Sequence, residues 1–178
     1  MALPASALTT LAKLKAQLRI TDSSADALLE DAITGASQMV ADFIGRRLHY
    51  QTITAEKATG RGTLELSLLV WPVNAVTLIE ATNGTTTVPD YECTGEDAEA
   101  GIVRALTGNW QWSPGLVSEG ISQNPIVGHD VANYLVSYGG GYTTPNQIAV
   151  GGATPLPATI ELATLMLATN LYASFGSD

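Results

Sequence analysis

Hydrophobic positions along this chain follow one period near its two ends and another in its middle. Across 23–47, apolar residues recur at Leu28, Leu29, Ala32, Ile33, Ala36, Met39, Val40, Phe43 and Ile44. That i, i+3, i+4, i+7 spacing predicts a helix with one buried stripe. Ser23 offers an N-cap, Asp26 completes a capping box, and Gly45 supplies a left-handed stop. A helix of about 22 residues spans roughly 33 Å. Residues 6–19 predict a shorter helix with Leu8, Leu11, Leu14 and Leu18 on one side, tightly linked to the long one. A third helix, 158–175, opens after Pro157 and is apolar nearly all round. Its Ile160, Leu162, Leu165, Met166, Leu167, Leu171 and Tyr172 leave no polar face. Such a helix is buried on every side, so one face is expected on the long helix and another against a neighbouring chain.

Between these helices the period is two. Strands are expected at 50–58, 63–68, 75–81, 85–88, 91–94, 101–106 and 131–138. Gly60-Arg61-Gly62 reads as a turn, Trp71-Pro72 as an interruption, and Asn83-Gly84 as a hairpin tip. Glu96, Asp97 and Glu99 read as a solvated acidic turn, since their order does not follow a calcium loop. Two Gly- and Pro-rich loops are expected, at 107–130 and 143–157. Trp110 and Trp112 alternate in the first, as a lid on the sheet's core or as an aromatic anchor for a partner. The expected fold class is α+β. Two N-terminal helices and a C-terminal helix form a small bundle, with an antiparallel β-sheet inserted at about 50–138 of a single domain, 1–178.

Composition sharpens this picture only in part. A hydrophobic share of 46% against 14% charged describes a folded chain with a weakly charged surface. Either neighbouring subunits cover that surface or the core is large. Net charge is −9, and all eight basic residues lie at or before Arg104. No basic patch is present to grip nucleic acid, although an acidic wall can surround DNA without sticking to it. Cys93 is the only cysteine, which excludes an internal disulfide or a thiolate zinc cluster. The first fifteen residues lack the order of a secretory signal. Residues 162–177 are uncharged but too short and too rich in Thr, Ser and Asn for a membrane span. A soluble, cytosolic product is expected.

Candidate chemistry is scarce. His49 and His129 are the only histidines and stand in no catalytic or metal-binding motif. The glycine strings at 60–62 and 139–141 carry no Lys-Ser/Thr and open no helix, so no phosphate cradle is read there. No enzyme, metal or cofactor is expected. Arg46 and Arg47 either complete a helix C-terminus or grip a phosphate or carboxylate on a partner.

Four strings, in order, carry a resemblance. They are LKAQLRI at 14–20 with DALLEDAITGA at 26–36, FIGRRL at 43–48, WPVNAVTLIE at 71–80, and YLVSYGGGY at 134–142 with LPATIELATLMLATNLY at 156–172. Together they resemble the head-tail connector, or adaptor, proteins of long-tailed bacteriophages and related prophage elements. The long Trp-bearing loop and the loop at 143–153 depart from the commoner pattern. The resemblance implies a structural virion protein of the neck, not a catalyst, assembled as a ring of twelve subunits. Such a ring contacts the portal protein and a downstream neck or tail-completion protein, and DNA passes through its channel without specific binding. Arg46, Arg47, Trp110, Trp112, Leu162, Met166, Tyr172 and Phe175 become candidate partner contacts. The protein would be made in the host bacterial cytoplasm and would touch no membrane. The alternative is a small binding module holding a carbohydrate on the Trp110/Trp112 loop.

Overall fold

The computed structural model describes residues 3–82, 88–111, 132–148 and 151–175. Along the chain run helices α1 (Leu11–Leu18) and α2 (Asp26–Ile44), then strands β1 (Gln51–Ala58), β2 (Glu65–Ser67), β3 (Val73–Ala81) and β4 (Tyr91–Glu92). Helix α3 (Gly95–Ala100), strands β5 (Ile102–Ala105) and β6 (Tyr134–Gly140), and helix α4 (Ala158–Phe175) complete the order. The fold is α+β with antiparallel sheets. Two compact units emerge: a helical one from 1–50 and 141–178, and a β-rich one from 51–140.

In the helical unit, α1 is shorter than its leucine pattern predicts. Thr10 caps it, its hydroxyl accepting from the Lys13 N–H at 3.3 Å. The residues before it are claimed by distant side chains. The Leu8 N–H donates to the Ser37 hydroxyl (3.0 Å), Thr144 donates to the Ala5 carbonyl (2.6 Å), and Asn146 donates to the carbonyls of Ala7 and Thr9. Backbone groups so engaged cannot also form a helical ladder. Helix α2 likewise begins at Asp26, with Ala25 as an N-cap that makes no side-chain bond. The expected capping box does not form because the Asp26 carboxylate turns to Lys15 at 2.5 Å. Gly45 ends the helix as expected, at φ +75° with its N–H on the Ala41 carbonyl.

The core of this unit gathers Leu14 of α1, Leu29, Ile33 and Ala36 of α2, and Ala168 of α4, with Leu165, Leu171 and Tyr172 packed against it. Lys13 pairs with Glu161 at 2.5 Å and Gln17 donates to Thr169 at 3.2 Å, joining α1 to α4. Only the first half of the α2 stripe is covered, however. Met39 and Phe43 are 51% and 93% exposed.

Among the described residues, the antiparallel β insertion expected at about 50–138 is arranged as two three-stranded sheets, ordered β1-β6-β3 and β2-β5-β4. The predicted strands on either side of Gly60-Arg61-Gly62 do not pair. That turn passes the chain from one sheet to the other, and β1 pairs instead with β6. A β-bulge in β1 puts Ala55 at φ +54°, and its N–H is taken by the Ser137 hydroxyl at 3.0 Å. Strand β6 also runs through Gly139 and Gly140, where the sequence predicts its closing turn. A side chain at Gly140 would stand 2.8 Å from the Val70 carbonyl, so the strand needs glycine there. The acidic run 96–99 is part of helix α3, not a turn. The Asn83-Gly84 hairpin and most of the 85–88 strand lie outside the described residues.

Burial decides what substitutions in α2 cost. Ile33→Ala, at a fully buried site, is expected to cost about 2–5 kcal/mol in denaturant unfolding. Phe43→Ala, on the same helix, should stay within about 0.5 kcal/mol. Equal losses at the two sites would contradict the burial described.

Candidate assembly surfaces

Helix α4 carries one charged residue, Glu161, and buries only Thr164 and Ala168 completely. Leu162 and Met166, four residues apart, share a face and are each 57% exposed, with Phe175 at 53% further on. Tyr172 instead packs half-buried against the helical core, so α4 directs it inward while Leu162 and Met166 stay uncovered.

The second surface is the C-terminal end of α2. Met39 and Phe43 share a face there, and Arg46 and Arg47 follow directly after Gly45. The guanidinium of Arg46 lies over the Tyr142 ring, 5.6 Å from its centroid, while Arg47 is exposed. Two backbone bonds of 2.7 Å hold the Tyr142 segment to Leu48 and Tyr50. Beside them runs a groove of about 600 Å³ with an apolar floor at Ala7, Leu8, Ala41 and Leu48. Both arginines and His49 line it as well. Burial, and then the nearby Arg47 charge, lowers the pKa of His49, which favours the neutral ring.

Trp110 requires a correction. It is fully buried in the β unit, donating from its ring nitrogen to the Val103 carbonyl at 3.0 Å and meeting Tyr134 edge-on at 5.1 Å. Its ring is therefore unavailable to a partner or a sugar. Around it, buried Asn133 accepts from the Gly60 N–H (2.7 Å) and donates to the Gln111 carbonyl (2.6 Å), while Tyr134 accepts from the Gln111 N–H. Trp112 and most of the 107–130 loop lie outside the described residues.

A third, acidic surface is visible in the sequence only in part, as the run Glu96, Asp97 and Glu99. In the β unit, Glu92, Glu96 and Glu99 are exposed on β4 and α3, with Glu65 on β2. Arg104 stands among them, but Asp97 engages it through two bonds of 2.7 and 2.8 Å. That pairing lowers the Asp97 pKa and raises that of Arg104. The shelf therefore remains acidic. Spacing hides only the part contributed by Glu65 and Glu92, which come from other elements.

Among the described residues, no group of three His, Cys, Asp or Glu is placed to hold a metal, and no helix is long and apolar enough to cross a membrane.

Residues 8–78 match the family model described as phage gp6-like head-tail connector protein. The resemblance to head-tail connectors read from the sequence is borne out over that stretch. No curated protein matches the chain. A solved structure that resembles it is described as the "neck of empty GTA particle computed with C6 symmetry". The likeness covers 97% of this chain and 81% of that one, at a TM-score of 0.51 and 19% identity, and it establishes a shared fold.

Cys93 offers a check on the environment beside the acidic shelf. Burial first, and then the Asp97 charge, push its thiol up to about 11, and its S–H donates to the Ile102 carbonyl at 3.3 Å. At pH 8 its reaction with Ellman's reagent should be about a hundredfold slower in the folded chain than in guanidinium, and should accelerate as pH rises toward 11. Equal rates folded and unfolded would place the thiol in water.

Proposed function

We propose that this chain is a structural protein of a phage-type neck, forming a ring that joins the capsid portal to the tail or to the next neck protein. The observation that carries the reading is the match of residues 8–78 to the head-tail connector family. The uncovered faces of α4 and of the α2 end supply a physical means of assembly, because each leaves apolar side chains that a neighbouring subunit would bury. A closed ring is built from heterologous contacts, in which two different patches of one subunit meet two neighbours. Twelve copies are compatible with the six-fold symmetry used for the neck structure that resembles this chain.

The ring continues the DNA channel without holding DNA. Eight basic residues against seventeen acidic ones give the channel wall no grip on phosphates, so DNA slides past by repulsion. The work is assembly, with no catalytic step. The carbohydrate-binding alternative loses one of its two tryptophans, since Trp110 is occupied inside the β core, while Trp112 lies outside the described residues.

Particles produced without this protein should contain DNA-filled heads and separate, complete tails in negative-stain micrographs. Heads carrying normally joined tails would overturn the proposal.

A further inference from the structure

We infer that Asn146, with Thr144, is a latch that holds α1 about one turn short, and that α1 extends back to Ala7 when the latch is released. This goes beyond the ring reading above and does not rest on it.

The latch takes the backbone groups that a longer α1 needs. Continued back to Ala7, the helix would aim the Ala7 carbonyl at the Leu11 N–H and the Thr9 carbonyl at the Lys13 N–H. Both carbonyls are turned instead to the Asn146 amide, at 3.1 and 2.8 Å. Thr144 donates to the Ala5 carbonyl at 2.6 Å and so fixes where the segment enters. The ladder of α1 therefore begins with the Leu14 N–H on the Thr10 carbonyl, at 3.2 Å. Gln147 steadies the latch, accepting from the Thr144 N–H and donating to the Tyr50 carbonyl at 2.9 Å. These residues come from the 143–157 loop, for which the sequence shows no other role.

The held segment carries the pattern of the helix it is denied. Leu8 continues the spacing of Leu11, Leu14 and Leu18, and Ser6 is exposed where the longer helix would need its N-cap. Holding it leaves the hydroxyls of Thr9 and Thr143 buried with no hydrogen-bond partner. Burial of Ala7 and Leu8, at 0% and 1% exposure, opposes release. The segment thus has two competing arrangements, and the Asn146 bonds select the shorter helix. Pro4, Ser6, Ala7 and Leu8 also line the groove beside the α2 end, so the latch sets the shape of that groove.

The test is nuclear magnetic resonance with amide exchange on the full chain. Wild-type Cα shifts over 7–9 should be non-helical. In Asn146→Ala they should move to helical values, and the Leu11 amide, gaining the Ala7 carbonyl, should exchange about tenfold or more slowly. Thr144→Val, which removes one bond and keeps the side chain's shape, should shift 7–9 the same way by less. If Asn146→Ala fails to fold, this second variant decides by the same signs. Ser6→Ala alone should change nothing, whereas added to either latch variant it should reverse most of the helical gain. Shifts over 7–9 that stay as in the wild type would overturn the latch. So would random-coil shifts with faster exchange at Leu11, or a Ser6→Ala effect of equal size with and without the latch.

Discussion

A helix with one charged residue in eighteen carries more apolar surface than a three-helix unit can cover. That imbalance in α4 governs the helical half of this protein. Helices α1 and α2 take the side bearing Leu165, Ala168 and Leu171. Leu162, Met166 and Phe175 stay more than half exposed. Small units bury a limited fraction of their surface, and the remainder must be tolerated or shared with another chain. The same shortfall recurs on α2, where Met39 and Phe43 stay more than half exposed. A fold with two open apolar faces leaves surface that another chain could bury.

The β unit solves a different problem. Its central strand, β6, follows a long segment after β5 and must be fixed between β1 and β3. Asn133 and Tyr134 do this at its start, bonding to Gly60 and Gln111, while Trp110 fills the space beneath and donates to Val103. At the other end of the strand, Tyr138 donates to Glu56 and accepts from the Val70 N–H at 3.0 Å. Bulges in β1 and β3 twist both outer strands of this sheet, which discourages edge-to-edge pairing with other chains.

What the sequence discloses follows from how local each signal is. The α2 periodicity and the Gly45 stop are local, and both are found. The start of α2 escapes a sequence reading because Asp26 is drawn away by Lys15, a residue of another helix. Residues 6–9 have a helical pattern, but Ser37 and Asn146 claim their backbone groups across 29 and 137 or more positions of chain. Strand pairing is equally illegible, since Gln51 finds its partner at Gly140. For Trp110 the sequence offers a lid on the core or an anchor for a partner, and burial favours the lid; which side chains it meets, Tyr134 and the Val103 carbonyl, no short pattern reveals. The open face of α4 is legible from composition alone. The acidic surface is legible only as the run 96–99, its Glu65 and Glu92 coming from β2 and β4.

The proposed function draws on the open helical faces, the acidic composition and the match to connector proteins over residues 8–78. The most direct measurement is a cryo-electron reconstruction of the neck in particles containing this protein. It should show the chain as a closed ring between portal and tail, with the Leu162–Met166 face and the α2 end buried between subunits. A neck whose density leaves out this chain, or holds it as isolated copies with those faces in solvent, would contradict the central claim.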